Sequence, residues 1–116
     1  MNILITRPLM DAEDLMEKFF DYGHKIIHLP TLKIATTKTE LINPDNFDAF
    51  VFTSANAVRN LKLTNKNKNL YCFCVGLITE KIARQSGFAN TISAGGTVNA
   101  LKNLIMISDK VNKNSN

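Results

Sequence analysis

Short apolar runs alternate along this chain with longer stretches in which apolar residues recur at helical spacing. The runs occupy residues 2–6, 24–29, 48–52, 70–75 and 90–93, and most are rich in branched or aromatic side chains. This pattern predicts five buried β-strands. Because strands that are joined through helices run in the same direction, the chain is predicted to be an α/β protein with parallel sheets covered by helices.

The stretches between the runs predict helices. The first helix is indicated by one apolar stripe formed by Ala12, Leu15, Met16, Phe19 and Phe20. Gly23 follows at the position where glycine often ends a helix. Further helices are predicted at about 54–63 and 78–86, and a last one begins after Gly96.

Residues 31–46 interrupt the alternation and predict a connector. The segment "LKIAT" is expected to be extended, a brief helical turn is expected beside it, and Pro44-Asp45-Asn46 indicates a turn. Such a connector suits a crossing between two lobes. We therefore predict that the first two strands pair with each other and not with the later strands.

Composition and charge narrow the function classes. The chain has 116 residues, 45% of them hydrophobic, and a net charge of +4. Its lysines are scattered among asparagines, as at 65–69, which favours a solvated surface over a nucleic-acid site. No apolar run approaches the roughly 18 residues of a membrane span, and the N-terminus lacks the basic region of a signal peptide. A cytoplasmic protein without nucleic-acid or membrane partners is expected.

The two cysteines, Cys72 and Cys74, alternate along one predicted strand. Their spacing is not that of a CxxC pair, and the sequence holds no second pair that could complete a metal site. We interpret them as small buried residues and expect no metal.

Small polar residues follow the predicted strands at their carboxyl ends. In open parallel sheets ligands bind at that edge, and three of these segments lead into helices, whose unpaired N–H groups attract anions. The segments are 53–56, 76–79 and 94–97. An alternative is that Ser54 or Asn56 only caps a helix and that the glycines only form turns. The sequence leaves both interpretations open.

Arg7 follows the first strand and suits a contact with a carboxylate, although a structural ion pair is an equal alternative. His24 and His28 share a face of the second strand without a neighbouring carboxylate or thiol, so we interpret them as partly solvated strand residues. The chain lacks the glycine-rich phosphate-binding motifs of dinucleotide and nucleoside triphosphate sites.

Four segments, in this order and at this spacing, resemble the N-terminal half of uroporphyrinogen-III synthase: "ILITRP", "GHKIIHLPTLKI", "FDAFVFTSANAV" and "CFCVGLITEKIARQSGF". The resemblance implies two flavodoxin-like α/β lobes, with the chain crossing from one to the other. It assigns residues 1–34 to the opening strand-helix-strand unit of the first lobe, 35–46 to the crossover, and 47–116 to part of the second lobe.

The resemblance also implies a substrate and a reaction. The substrate is hydroxymethylbilane, a linear tetrapyrrole with eight carboxylates, which lies between the lobes. The enzyme is a cyclising hydro-lyase that removes water, closes the ring and inverts the last pyrrole, without a cofactor or metal. The implied substrate-binding residues are Thr53, Ser54, Asn56, Gly76, Thr79 and Arg7, and the catalytic residue is unknown.

The sequence departs from the family in length and at Glu80, where the family usually has a small residue. Members are about twice as long, so we expect a truncated chain that is inactive, or nearly so, as a single copy. Its incomplete N-terminal lobe predicts a homodimer. One alternative is a non-catalytic remnant that binds anions or a partner. Another is an unrelated flavodoxin-like or receiver-like domain. Such a domain predicts a cluster of acidic residues at the end of the first strand, and the chain has Thr6-Arg7 at that position.

Overall fold

The computed structural model describes residues 1–36, 41–65 and 69–108. In these ranges the elements are β1 (Asn2–Ile5), α1 (Leu9–Asp21), β2 (Lys25–His28), a 3-10 helix (Pro44–Asn46), β3 (Ala49–Phe52), α2 (Ala55–Asn60), β4 (Tyr71–Cys74), α3 (Leu77–Gln85), β5 (Asn90–Ser93) and α4 (Val98–Ile107). All the paired strands are parallel. The predicted α/β class with parallel sheets is confirmed.

The strands form two separate sheets. β1 pairs with β2, and β3, β4 and β5 form a second sheet with β4 at its centre. The predicted separation of the first two strands from the later ones is therefore confirmed. The chain divides into two compact units, Met1–Thr37 and Lys38–Asn116, which we call the N-unit and the C-unit. The assignment of residues 1–34, 35–46 and 47–116 to parts of two lobes stays a prediction.

The connector is less regular than expected. Residues 32–36 form no strand, and 37–40 lie outside the described residues. The turn predicted at Pro44–Asn46 is a single 3-10 turn, which Asn43 caps: its Oδ1 accepts a hydrogen bond from the Asp45 N–H at 3.1 Å.

Helix α2 is shorter than the predicted helix at about 54–63. The chain leaves helical conformation at Leu61, and the next residues pair with the connector instead. Ile42 and Leu63 form a parallel bridge, in which the Ile42 N–H donates to the Lys62 carbonyl and the Thr64 N–H donates to the Ile42 carbonyl, each at 2.9 Å. Because residues 62–64 pair with Ile42, the helix ends earlier than the local apolar spacing predicts.

In the N-unit one face of the sheet is covered. α1 packs on β2, and Ala12 on this helix is completely buried. Alternation along the strands places Ile5 on the covered face and Leu4 and Ile27 on the other. Leu4 and Ile27 are 57% and 48% exposed. We call these two residues, which are paired in the sheet register, the open face.

In the C-unit the core lies around β4. Helices α2 and α3 pack on the face that carries Phe52, Cys72 and Cys74, where Val58 and Ala83 contribute to the same cluster. Both thiols are completely buried. Burial raises the pKa of Cys72 to about 12 and that of Cys74 to about 11. The prediction that these cysteines are buried apolar residues is confirmed.

The other face of β4 is also buried. Phe73 lies between the two cysteines and therefore points to the opposite side. It is completely buried, and α4, whose Leu101 is buried as well, contacts β4. Val51, the neighbour of Phe73 on β3, is 53% exposed. On this face of the sheet the packing against β4 therefore does not extend to β3, the outer strand.

None of the helices in the described ranges carries an apolar stretch long enough to cross a membrane.

Candidate functional site

The carboxyl ends of β3, β4 and β5 lie side by side. Backbone hydrogen bonds continue past the strands, from the Val75 N–H to the Phe52 carbonyl at 2.9 Å and from the Gly96 N–H to the Val75 carbonyl at 2.8 Å. A Cβ atom on Gly76 would lie 3.4 Å from the Gly96 Cα, so these two loops are in close contact. The predicted segments 53–56, 76–79 and 94–97 thus lie side by side at the carboxyl ends of the strands of this sheet. We call this end of the sheet the C-edge.

In the first turn of α2 a backbone N–H group is bonded by the helix's own N-cap residue. Ser54 Oγ accepts a hydrogen bond from the Asn56 N–H at 3.1 Å, and Asn56 Oδ1 accepts one from Arg59 Nη1 at 2.9 Å. For Ser54 the capping interpretation therefore holds. Thr53, the residue before the cap, is exposed.

The first turn of α4 also has a backbone N–H group that is bonded by the N-cap side chain. Thr97 Oγ1 accepts a hydrogen bond from the Ala100 N–H at 3.1 Å. Gly96 precedes it with a φ of 92°, a left-handed conformation that explains why a glycine occupies this turn.

The start of α3 is different, because its first residue is preceded by Gly76, which offers no side-chain cap. The first helical hydrogen bond is from the Glu80 N–H to the Gly76 carbonyl at 3.0 Å. The amides of Leu77, Ile78 and Thr79 find no acceptor among the described residues. Leu77 and Ile78 are 76% and 68% exposed, which leaves this helix start accessible. An accessible, uncapped helix start is suited to an anion.

Thr79 is the one site residue predicted from the sequence whose side chain is nearly buried, with 5% of its surface exposed. Its hydroxyl makes no hydrogen bond with another described residue. Across the described part of the chain, no side-chain oxygen or nitrogen is both fully buried and unpartnered. The Thr79 oxygen is therefore not completely enclosed.

Arg7 lies at the carboxyl end of β1, in the N-unit. It is exposed, and it forms no salt bridge within the described ranges, so the alternative of a structural ion pair finds no support there. Its backbone carbonyl lies 2.8 Å from His28 Nε2. The structure thus brings five of the predicted residues to the C-edge: Thr53, Ser54, Asn56, Gly76 and Thr79. The sixth, Arg7, lies at the carboxyl end of β1 in the sheet of the N-unit.

Sequence reasoning missed a side-chain network beside the start of α3. Glu80 Oε1 accepts hydrogen bonds from Arg84 Nη2 at 2.8 Å and from Thr91 Oγ1 at 3.2 Å, so it links α3 to β5. Hydrogen bonds, first from Arg84 and then from Ser93 and Thr91, lower the pKa of the Glu80 carboxyl. The i,i+4 spacing of Glu80 and Arg84 was visible in the sequence. The proximity of Thr91 was not.

A cavity of about 380 Å³ lies away from the C-edge. It is lined by Leu61 and Leu63, which precede β4, and by Ser86 and Phe88, which precede β5, so it opens near the amino ends of the strands. Its polar lining residues are Arg59, Asn65 and Ser86, and we place no function in this cavity. No group of three or more metal-ligating side chains occurs in the part of the chain that the structure describes.

Comparison with known proteins agrees with this architecture. A search of curated proteins found no match to the chain. Residues 13–115, which include the C-edge, nearly all of the C-unit and the N-unit from within α1 onward, match the family described as uroporphyrinogen-III synthase HemD. This range is most of the chain. The protein belongs to the uroporphyrinogen-III synthase family, whose function lies in tetrapyrrole biosynthesis.

Proposed function

We propose that the chain binds hydroxymethylbilane and directs its cyclisation to uroporphyrinogen III, with loss of water and inversion of the last pyrrole ring. Family membership supports the substrate and the reaction. The observation that carries the proposal is the uncapped start of α3, where three backbone amides are available to a carboxylate. A substrate with eight carboxylates suits such a site.

In this proposal the chain acts mainly by holding a flexible substrate in one folded shape. The amides of Leu77, Ile78 and Thr79 bind one carboxylate, and Gly76 lets the substrate approach the backbone. Thr53 offers an exposed hydroxyl at the neighbouring loop, while Ser54 and Asn56 keep the start of α2 in place. Arg7 is proposed to bind a carboxylate with its guanidinium.

Two physical effects would lower the barrier. Binding the ends of the linear tetrapyrrole near one another replaces an improbable encounter by a pre-arranged one. Hydrogen-bond donors aimed at the departing hydroxyl would stabilise the charge that develops on it. No cofactor is part of the proposal, and we assign no residue as the general acid.

Binding of a stable relative of the substrate tests this site. We expect uroporphyrin I, a porphyrin with eight carboxylates, to bind the full chain in a fluorescence titration. Thr79→Val removes the hydroxyl with little change of volume and should weaken binding about tenfold, the value of one hydrogen bond to a charged group. Lys62→Gln, a change at an exposed lysine, is the control. Equal losses in the two variants would show that overall positive charge, rather than the start of α3, attracts the ligand.

We further propose that two copies of the chain associate through the open face of the N-unit. Leu4 and Ile27 are directly paired and about half exposed on a two-stranded sheet, and such a sheet is marginal in water by itself. Full burial of such a side chain is worth roughly 1.5 to 3 kcal/mol, so covering the exposed half of each is worth about half of that. A second copy of the same face would supply that cover in a symmetric dimer. The proposed catalytic unit is this dimer, with little activity in a single copy.

Light scattering tests the dimer. The chain should be dimeric at tens of micromolar, and Ile27→Lys should convert it to a monomer. Lys33→Glu, a charge change at an exposed residue of the same unit, should not. A stable monomer of the unmodified chain at that concentration would rule out the proposed dimer.

A second candidate function is a non-catalytic module that binds anions or a partner chain. It is favoured by the composition of the C-edge, where Thr53, Ser54, Asn56, Gly76 and Thr79 offer hydrogen bonds but no group that titrates near neutral pH. Such a module would bind uroporphyrin I without forming uroporphyrinogen III.

A further inference from the structure

Glu80 is the first carboxylate after the free amides of α3, and it is held by an ordered set of donors. Its side chain is 15% exposed, and Oε1 accepts from Arg84 Nε at 3.2 Å, from Arg84 Nη2 at 2.8 Å and from Thr91 Oγ1 at 3.2 Å. Arg84 Nη2 also donates to the Thr91 carbonyl at 3.4 Å. The carboxylate and the guanidinium are therefore fixed on the same side of α3, next to β5.

The position of Glu80 has an electrostatic consequence. A carboxylate in the first turn of a helix interacts with the same positive potential that an anionic ligand would use. Glu80 would by itself oppose a second negative charge at the amides of 77–79. Arg84 lies one turn further along and contacts the same oxygen, so its charge offsets that of Glu80 at this end of the helix.

We propose that the Glu80–Arg84 pair sets the affinity of the α3 start for a polycarboxylate, with Glu80 lowering this affinity and Arg84 restoring it. The inference rests on the proposed function, because it concerns the same ligand site. The bond from Thr91 keeps the carboxylate in position and leaves Arg84 in contact with it.

The opposite signs expected for the two members separate this role from a purely structural one. If the network only held α3 against β5, removing either member would loosen the helix start and weaken binding. In the proposed role Glu80→Gln, which keeps an oxygen acceptor for Thr91, removes the opposing charge and tightens binding. Arg84→Gln leaves the opposing charge uncompensated and weakens binding.

The experiment uses the full chain labelled with 15N and titrated with uroporphyrin I, with the amide signals of residues 77–79 as the readout. Relative to the unmodified chain, we expect Arg84→Gln to weaken binding and Glu80→Gln to tighten it, each by about two- to fivefold, the size of a charge effect at a helix start. The matched control is Lys81→Gln, an equal loss of charge at an exposed residue of the same helix, which should change binding less than Arg84→Gln does. The double variant should bind nearly as the unmodified chain does.

The outcomes distinguish this inference from the function on which it rests. If uroporphyrin I leaves the amide signals of 77–79 unchanged in the unmodified chain, both the site and the inference are overturned. If the unmodified chain binds there but Glu80→Gln weakens binding, or Lys81→Gln and Arg84→Gln act equally, only the inference is overturned. Should Arg84→Gln fail to fold, the sign of the Glu80→Gln effect alone decides.

Discussion

The N-unit and the C-unit each contain a strand-helix-strand segment but bury it differently. β1 has the sequence NILI, and its Leu4 is 57% exposed. β4 has the sequence YCFC, which is no more apolar, yet Cys72, Phe73 and Cys74 are all completely buried. The difference lies in the neighbours: β4 has a strand on each side and helices on both faces, whereas β1 has one neighbouring strand in a sheet with one covering helix. Apolar character predicts that a segment is a strand, but the number of neighbours decides how deeply it is buried.

The same comparison locates the candidate site. A helix start presents its amides in fixed positions when the strand before it is held firmly, and α3 follows β4, the central and most buried strand. The start of α1 also lacks a side-chain cap, but it follows β1, a strand with one partner. A rigid site is therefore expected in the C-unit, and experiments that compare the stability and opening of the two units test this expectation.

The largest expected difference between the units is in the cost of removing an aromatic ring. Phe73→Ala should lower the free energy of unfolding by about 3–5 kcal/mol, because it opens a cavity beside a completely buried strand. The matched control is Phe20→Ala in the N-unit, where the ring is 72% exposed and the loss should stay within about 0.5 kcal/mol. Denaturant unfolding measures both. If the two losses are alike, the units do not differ in packing as described.

The buried thiols provide a second contrast, which depends on pH. Burial raises the pKa of Cys72 to about 12 and of Cys74 to about 11, from an ordinary value of 9.0. The unfolded chain therefore loses these protons first, so stability is retained below about pH 9 and falls as the pH rises toward 11. Each thiol should add a slope of up to about 1.4 kcal/mol per pH unit. The double variant Cys72→Ala, Cys74→Ala should lose this part of the slope.

Thiol reactivity compares the units directly. Native Cys72 and Cys74 should react with a thiol reagent at pH 8 only as fast as the C-unit opens. A cysteine placed by Lys33→Cys at an exposed residue of the N-unit outside the open face, in the chain without the native cysteines, should react at once. Rapid reaction of the native thiols would show that the C-unit core opens far more readily than its packing implies.

The smallest expected difference concerns two threonine hydroxyls. Thr97→Ala removes the cap of α4, whose bond to the Ala100 N–H is 3.1 Å long, and should cost about 1 kcal/mol. Thr31→Ala in the N-unit removes only a 3.5 Å contact with the Thr6 carbonyl and should cost less than about 0.5 kcal/mol. Thermal unfolding of the two variants measures this difference. A larger loss for Thr31→Ala would mean that the N-unit loop after β2 is held more tightly than the geometry shows.

The elements were predictable from the sequence because their patterns are local. The runs of branched and aromatic residues marked all five strands, and Gly23, with a φ of 78°, ended α1 as expected. The end of α2 was not predictable, since it depends on Ile42, which is distant in sequence and pairs with Leu63. The same holds for Glu80, whose bond to Thr91 exists only after β5 joins the sheet.

The candidate site was predictable only in outline. The rule for parallel sheets indicated the C-edge, but the sequence could not separate a capping residue from a ligand-binding one. Ser54 and Thr79 are both small hydroxyl residues at helix starts. The structure shows that the Ser54 hydroxyl accepts a hydrogen bond from a backbone N–H of its own helix, whereas the Thr79 hydroxyl accepts none. The difference depends on hydrogen-bond geometry, which residue type alone does not determine.

The most direct test is the conversion of hydroxymethylbilane by this 116-residue chain, with separation of the uroporphyrinogen isomers that form. Spontaneous closure without inversion gives the I isomer, so the III isomer reports directed cyclisation. We expect the III isomer to rise with protein concentration, more steeply than in proportion if the dimer is the active form, and to decrease with Thr79→Val but not with Lys62→Gln. Formation of the I isomer alone, at the spontaneous rate and at every protein concentration, would contradict the proposed function.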